Sequence, residues 1–354
     1  MAEITRPKGL INVQPLTAQQ AAELSKQWLG GQWETLPIFE RTLTSANVPV
    51  RQYLADIVTL AVQRRTPVRN LLRRVRAPGG YQFEWFVVAN TIPAVQAVFG
   101  ETNQPNAGEP VYPRPPKAVA FKPIGLRADI TAQAQLVSAN FHHQVAAAIE
   151  YLTIQVARAE EWMLIKGDSA QDPNQIDGLL KQITTNVINK NGEALQWADI
   201  VEACRAVWQA GGTPKYLICG PREALTISQL YLNVVRPIEM GTVPYGAFVE
   251  RIITPYGELQ VVISPDMAPE TRTIGASSVQ ASDIIILDTD QPVAGGAGLM
   301  PGTAIEVHEL LPMEAWIFPM QTTLTTPVVV WEVLTLAVRA ENFQAKIINI
   351  GPSS

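Results

Sequence analysis

The stretch from residue 140 to residue 180, NFHHQVAAAIEYLTIQVARAEEWMLIKGDSAQDPNQIDGLL, decides the fold of this chain. Its first two thirds carry apolar side chains at helical spacing, namely Phe141, Val145, Ala148, Ile149, Leu152, Val156, Ala159 and Met163. This spacing predicts one amphipathic helix over 140–166, about 40 Å long at about 1.5 Å per residue. Gly167 is expected to end the helix, and a turn-rich segment follows it.

Upstream of this helix the chain is predicted to be helical. Helix-favouring residues over 17–29 and an apolar stripe over 50–64 each indicate one helix. Thr66 and Pro67 are typical of an N-cap and a first helical turn, and they predict a third helix that runs on to Arg76. The apolar residues of this third helix recur on one side, and they are Val68, Leu71, Leu72 and Val75.

The positive charge of the protein is concentrated in the same region. The whole chain has a net charge of -5, but residues 1–76 hold 11 Lys or Arg and 5 Asp or Glu, a net charge of +6. Six arginines lie between positions 64 and 76. Four of them form a predicted face that contacts DNA, independently of sequence, or a scaffolding protein: Arg65, Arg69, Arg73 and Arg76. The alternative is a solvated helix face or salt bridges between subunits.

Residues 78–130 change character, from helical to extended. The stretch Tyr81–Val88 is aromatic and β-branched, which favours a strand. Six prolines between 103 and 123 then exclude a helix and disfavour a central strand. We therefore expect a long protruding hairpin or loop that is either mobile or held by another molecule, since such a segment is too long for an ordinary connection.

Helices and strands alternate in the C-terminal half, which predicts an α+β fold. Helices are expected at about 197–210 and 221–232. Strands are expected at about 215–219, 248–254, 258–264, 283–288, 303–311 and 325–339. A glycine-rich loop is expected over 294–302.

The sequence offers no arrangement that predicts catalysis, a cofactor or a metal ion. There is no phosphate-binding loop and no Gly-x-Ser-x-Gly elbow. Two pairs of adjacent residues lie on the long helix, His142 with His143 and Glu160 with Glu161, and the members of each pair point in different directions. A helix-face pair is the better interpretation of the histidines, and solvated or salt-bridged carboxylates that of the glutamates. The acids Asp168, Asp172 and Asp177 do not have the spacing of a calcium loop, so a turn is expected.

Compartment signals are also few. Cys204 and Cys219 lie in apolar surroundings and are expected to be buried, reduced thiols of an intracellular protein. The first residues lack the apolar run of a secretory signal, and the apolar run Val328–Val338 is too short to span a bilayer. We therefore expect neither export nor a membrane partner.

The order of these elements resembles the Hong Kong 97-type major capsid protein of tailed bacteriophages, a fold shared with encapsulin shells. The long helix leading into Ile165-Lys-Gly-Asp168 and on to Ile176-Asp-Gly-Leu-Leu180 is similar to the family's spine helix and the turn after it. The region from Tyr81 to Ile130 is similar to its extended E-loop. The segments 254–265 and 329–340 are similar to strands of its axial domain and to its closing strands.

This resemblance implies a domain organisation. Residues 1–77 would form a basic, helical N-terminal arm, and 78–130 the E-loop hairpin. Residues 131–196 would form a peripheral domain built on the spine helix, and 197–302 an axial domain. Residues 303–354 would supply the return strands of both domains.

The function implied is structural rather than enzymatic. Many copies would assemble into an icosahedral shell of hexamers and pentamers that encloses double-stranded DNA, assembled in the host cytoplasm and found in the virion. Possible further partners are a separate scaffolding protein, a portal and decoration proteins. The alternatives are an encapsulin-like compartment around a protein cargo and, from another class, a monomeric α/β enzyme.

Overall fold

The computed structural model describes residues 65–87, 98–101, 104, 115–138, 143–234, 250–275, 277–290, 292–293 and 302–352. The helices are α1 (Pro67–Leu71), α2 (Ala132–Ser138), α3 (Gln144–Lys166), α4 (Leu179–Gln182), α5 (Trp197–Gln209) and α6 (Pro221–Val234). The first strands are β1 (Arg74–Arg76), β2 (Gln82–Trp85), β3 (Lys117–Ala120), β4 (Lys122–Thr131), β5 (Val187–Asn189), β6 (Tyr216–Cys219), β7 (Arg251–Thr254) and β8 (Gly257–Ile263). The later strands are β9 (Glu270–Ile274), β10 (Ser277–Leu287), β11 (Pro292–Val293), β12 (Gly302–Thr303), β13 (Ile305–Ile317), β14 (Thr325–Val338) and β15 (Ala345–Ile350).

The long helix α3 packs on a four-stranded sheet whose strand order is β1-β13-β14-β4. Strand β14 is the centre of this layer, because it pairs antiparallel with β13 on one side and with β4 on the other. Its even-numbered residues face the helix, and Val328, Val330, Leu334 and Leu336 are fully buried there. Burying each such side chain contributes about 1.5–3 kcal/mol, so this face holds the helix in place.

A second sheet has the order β5-β15-β10-β6-β8-β7, and β9 extends the outer half of β10. Helix α5 lies against it through Ile200, Ala203, Cys204 and Val207, which recur at helical spacing. Strand β10 is buried along 281–287. Successive side chains of a strand point to opposite faces, and the continuously apolar part of β10, Ile284–Leu287, is buried on both of them, whereas Ser282 and Asp283 are buried polar residues.

Strand β10 also joins the two hydrophobic cores. Ile285 and Leu287 pack into the core around α3, while Ile284 and Ile286 pack into the core under α5 and α6. The described residues belong to one compact unit, Leu60–Ser354. The second sheet is therefore covered on both faces, by the core around α3 on one side and by the core under α5 and α6 on the other.

Two glycines fix the turn after α3. Gly167 ends the helix, and the amide of Gly178 donates a hydrogen bond of 2.9 Å to the Gly167 carbonyl. A Cβ on Gly167 would lie 2.2 Å from the Ile176 carbonyl oxygen, and one on Gly178 would lie 2.6 Å from the carbonyl oxygen of Met163. Backbone approaches backbone here, so only glycine fits at either position.

Most of the predicted elements are confirmed. The structure describes the helix expected over 140–166 from Gln144 to Lys166, and α5 and α6 match the two helices expected after residue 196. Strands β2, β6, β7, β8, β10, β13 and β14 match predicted strands, and the fold is α+β. The helices expected over 17–29 and 50–64 lie outside the described residues, as does most of the loop expected over 294–302.

The third helix is the prediction that is wrong. It begins at Pro67 as expected but ends at Leu71, and Arg74–Arg76 is a strand that pairs parallel with β13. An edge of the sheet was open beside β13, and its backbone hydrogen bonds outweigh the local helical preference of a short segment. Strands β4, β5, β9 and β15 carry weaker sequence signals and were not predicted individually.

The Gly167–Gly178 contact predicts a stability effect. Gly178→Ala should lower the free energy of unfolding by about 1–3 kcal/mol, because the added methyl group meets backbone atoms that cannot move aside. Chemical denaturation of the purified chain measures it. The control is Gln171→Ala, which removes an exposed side chain on the same turn and should change stability by less than about 0.5 kcal/mol. Equal effects of the two variants would contradict the packing argument.

Candidate functional site

The four arginines of the predicted contact face do not lie on one helix in the structure. Helix α1 ends before Arg73, so no common helix places Arg73 and Arg76 beside Arg69. The side chain of Arg73 is 56% exposed and lies 3.7 Å from Glu306, and Arg65 and Arg76 are exposed. The shared helix face is therefore wrong, because the segment changes from helix to strand. Contact with DNA or a scaffold stays a prediction for the exposed arginines.

A buried carboxylate forms ion pairs with two other arginines of this basic segment. Glu160 of α3 is fully buried and forms ion pairs with Arg69 of α1 and Arg74 of β1. Arg74 also pairs with Glu309 of β13. Arg74 lies outside the predicted contact face, yet it makes two of these three ion pairs. The salt-bridge alternative thus holds for these arginines, but within one subunit instead of between subunits.

Glu161, the next residue of α3, caps helix α1. Its carboxylate accepts hydrogen bonds from the amides of Val68 at 3.1 Å and Arg69 at 2.7 Å, and from the Ser264 hydroxyl at 3.0 Å. These two amides belong to the first turn of α1 and have no partner within the helix. Burial raises the pKa of Glu161, and the three hydrogen bonds oppose that rise.

These contacts correct the interpretation of the two acids on α3. Neither Glu160 nor Glu161 is solvated, since both are fully buried. Glu160 is salt-bridged, which is one of the two expected roles. Glu161 lies on α3 and caps the N-terminus of α1. Together they fasten residues 67–76 to the long helix.

A groove of about 580 Å³ lies between α3 and β4. Its walls on α3 are formed by residues one to three turns apart, which share one helix face. Two of its aromatic side chains are partly exposed, Tyr151 at 44% and Trp162 at 37%. The charged residues at the same groove are Arg127, Arg158 and Asp266, so the groove is apolar inside with charges of both signs beside it. Such a surface is typical of a site that another polypeptide covers.

The far end of the β13–β14 hairpin is a second exposed apolar surface. Five large side chains there are between 41% and 63% exposed, and they are Trp316, Ile317, Phe318, Met320 and Leu324. Trp316 packs edge-to-face on Trp331, with ring centroids 5.1 Å apart, so its position is fixed. Exposed aromatic residues held rigid in this way are characteristic of protein interfaces.

The base of the predicted E-loop is a pair of antiparallel strands, β2 and β3. Phe83 of β2 stacks on His308 of β13 with ring centroids 3.8 Å apart, and Lys117 of β3 forms a 3.1 Å ion pair with Glu341. These contacts anchor both ends of the intervening segment to the body of the chain. Beyond the base, residues 98–101 are described and exposed, including Phe99 at 54%. Most of the predicted loop lies outside the described residues.

The remaining polar candidates have structural roles. Carboxylates of Asp168, Asp172 and Asp177 accept hydrogen bonds from nearby backbone amides, which confirms the expected turn. His143 is exposed, and His142 lies outside the described residues. His308 is buried, and burial lowers its pKa.

The two cysteines and the metal-binding residue types of the described ranges form no reactive or metal-binding group. Cys204 and Cys219 are free and buried, as expected, and burial raises the pKa of Cys204 to about 12, which makes the thiol unreactive. Across the described ranges, no three His, Cys, Asp or Glu side chains are grouped to hold a metal ion. Among the described helices, none is long and apolar enough to cross a lipid bilayer.

The model of one known protein family matches part of the chain. Residues 124–292, which include α3, its turn and most of the second sheet, match the family model of the SU10 major capsid protein. No curated protein sequence matches the chain significantly.

Solved structures share the fold. The SrpI encapsulin of Synechococcus elongatus PCC 7942 is 14% identical and superposes with a TM-score of 0.57, covering 88% of this chain and 98% of that chain. The capsid of a native GTA particle is 14% identical with a TM-score of 0.59, covering 87% and 100%. A structure from Mycobacterium phage Bobi is 11% identical with a TM-score of 0.56, covering 86% of this chain and 96% of that chain. At such identities the likeness shows the fold alone, and it is the expected Hong Kong 97-like fold.

The buried cap predicts the effect of one substitution. Glu161→Ala should lower the free energy of unfolding by at least about 2 kcal/mol, since two amides and a hydroxyl lose their buried acceptor. Hydrogen exchange should show the largest loss of protection over residues 67–72. Glu150→Ala, at an exposed position of the same helix, is the control and should cost less than about 1 kcal/mol. Unchanged protection over 67–72 in Glu161→Ala would contradict the capping role.

Proposed function

We propose that this chain is a phage major capsid protein of the Hong Kong 97-like fold, because residues 124–292 match the model of the SU10 major capsid protein. Its copies would form an icosahedral shell of hexamers and pentamers around double-stranded DNA. The observation that carries the proposal is the pair of exposed apolar surfaces, at the α3–β4 groove and at the end of the β13–β14 hairpin. A chain that works alone would leave these aromatic side chains in water. The action is mechanical: the subunit binds its neighbours and performs no chemistry.

We propose the same division into domains that the resemblance implies. We assign α3 and the sheet β1-β13-β14-β4 to a peripheral domain, with 131–196 contributing the spine helix. Helices α5 and α6 with strands β6 to β10 would form an axial domain over 197–302. The return strands over 303–354 serve both domains, since β13 and β14 pack on α3 while β15 enters the second sheet.

We propose that the E-loop of one subunit covers the groove of a neighbour. Apolar complementarity supports this contact, since Phe99 on the loop is exposed and the groove is apolar inside. The exposed Glu101 would pair with the arginines of the groove, whose charged lining is Arg127, Arg158 and Asp266. The loop prolines lower the entropy that is lost when the loop is ordered on another subunit.

The other partners belong to the same proposal. A separate scaffolding protein or the packaged DNA would meet the exposed arginines of the N-terminal arm, and a portal and decoration proteins would complete the particle. Assembly would take place in the host cytoplasm. DNA contact through guanidinium groups and phosphates would be independent of sequence and weakened by salt.

An encapsulin-like compartment is the second candidate, because the SrpI encapsulin superposes about as well as the phage capsids do. The family match favours the phage shell. The contents of purified particles distinguish the two: nuclease-protected DNA supports the phage shell, and a protein cargo without DNA supports the compartment. A monomer or dimer under all conditions, with turnover of a substrate, would overturn both.

The hairpin end predicts an assembly defect without a folding defect. The double variant Trp316→Ser and Phe318→Ser should remain folded, because both rings are more than 40% exposed, but should form at least about tenfold fewer particles. Particle yield is read by sedimentation and negative-stain microscopy, and folding by circular dichroism. Thr322→Ala on the same turn is the control and should assemble normally. Wild-type yield from the double variant would remove this surface from the interface.

The exposed arginines predict a separate defect. Arg65→Gln with Arg76→Gln should leave the fold and the particle yield intact but reduce nuclease-protected DNA, or scaffold retained in precursor particles, by at least about threefold. Arg69→Gln is the contrast, since it breaks a buried ion pair and should lower stability by about 3–5 kcal/mol. Normal DNA and scaffold content in the double variant would reject the role of these arginines.

A further inference from the structure

A third buried acid lies beside the ion pairs that hold residues 67–76. Glu332 is on β14, between the fully buried Val330 and Leu334 on the face toward α3, and it is 1% exposed. Its antiparallel neighbour on β4 is Ile124, also buried. A carboxyl group thus lies on the buried face of the strand, where its neighbours are aliphatic side chains.

The charges around Glu332 do not balance when every group is ionised. Helix α3 presents Glu160, α1 presents Arg69, β1 presents Arg74, and β13 contributes Glu309 through its pair with Arg74. The two arginines neutralise Glu160 and Glu309. An ionised Glu332 would leave one uncompensated negative charge in the core, which is strongly unfavourable.

The surroundings of the Glu332 oxygens point to the protonated form. Among the described residues, no N–H or hydroxyl donor reaches either oxygen, although both are buried. Glu160 lies beside it and can accept a hydrogen bond only if Glu332 carries a proton. In agreement with this geometry, burial and then the charge of Glu160 raise the pKa of Glu332 to about 8.

We propose that Glu332 carries a proton that it donates in a hydrogen bond to Glu160, and that this proton holds the segment Pro67–Arg76 against the body of the subunit. Loss of the proton leaves two buried carboxylates side by side and weakens the attachment of α1 and β1. The segment carries four of the six arginines between positions 64 and 76, and its attachment to the body of the subunit becomes dependent on pH. This pH dependence arises within one subunit, and it is independent of what a shell encloses.

The direction of the pH dependence follows from the two states. When the segment is detached, Glu332 has the ordinary pKa of a glutamate and is ionised above about 4.5; when attached, it stays protonated up to about 8. The attached state therefore binds one more proton between these values. Its stabilisation is complete below about pH 4.5 and is lost as the pH rises to about 8.

Hydrogen exchange of two amides tests the proposal on the full chain. The amide of Ala77 donates to the Glu309 carbonyl at 2.7 Å, and that of Val307 donates to the Arg73 carbonyl at 2.9 Å, so both report the attachment of β1. After correction for intrinsic exchange, their opening constants should rise by up to about tenfold per pH unit between pH 6.5 and 8, and level off above.

Glu332→Gln is the decisive variant, because it keeps the shape of the protonated acid and cannot ionise. Its slope should be lower than that of the wild type by about one proton, whereas Glu314→Gln, exposed on β13, should keep the wild-type slope. The lowered pKa of His308 acts in the opposite direction below about pH 6.5, which sets the lower limit of the range. Glu161, whose pKa is also raised, is present in every variant.

A second measurement covers the case in which the variant does not fold. The infrared spectrum of the wild-type chain should contain a band of a protonated carboxyl group at pH 7 that is lost near pH 9. Equal slopes in the wild type and Glu332→Gln, or the absence of that band at pH 7, would overturn the proposal.

Discussion

The contact of α3 with the even-numbered face of β14 is the interaction on which the described structure depends. Val328, Val330, Leu334 and Leu336 are fully buried against the helix, and β13 and β4 are aligned by their hydrogen bonds to β14. The helix can end where it does only because Gly167 and Gly178 allow the chain to turn back within van der Waals distance of its own backbone. From that turn the chain enters the second sheet, so both cores take their position from the same packed layer.

Charged residues inside this layer perform a task that hydrophobic packing cannot. The short helix α1 buries only Val68, too little apolar surface to hold five residues of helix on its own. Glu160 and Glu161 supply directional contacts instead, one by ion pairs and one by accepting the amides of the first turn. Buried ion pairs contribute little net stability compared with apolar packing, but they specify one arrangement, since a shifted segment would leave several charges unpaired. That specificity suits a segment that connects the N-terminal arm to the body of the subunit.

Large parts of the fold could be predicted because their signals are local. The seam of α3 repeats along one segment, and strands such as β6, β10 and β14 contain β-branched residues in short apolar runs. The arginine segment could not be predicted in the same way. Pro67 indicated a helix start correctly, but the change from helix to strand at Arg74 depends on the edge of β13, which is more than 200 residues away. The exposed apolar surfaces carried no signal either, since an exposed Trp316 and a partly buried Trp331 are the same residue type in neighbouring strands.

The sequence by itself determined the class of the protein. The helix length, the glycine turn, the proline-rich excursion and the absence of a catalytic pattern each follow from residue types and their spacing, and together they indicate an α+β shell protein. Only the tertiary structure decided which charges are buried. Glu160, Glu161 and Glu332 look like ordinary surface acids in a sequence, because their environment is made by residues that fold onto them from α1, β1 and β4. Burial, and the altered proton affinity that accompanies it, is a property of the assembled core and cannot be assigned from one segment alone.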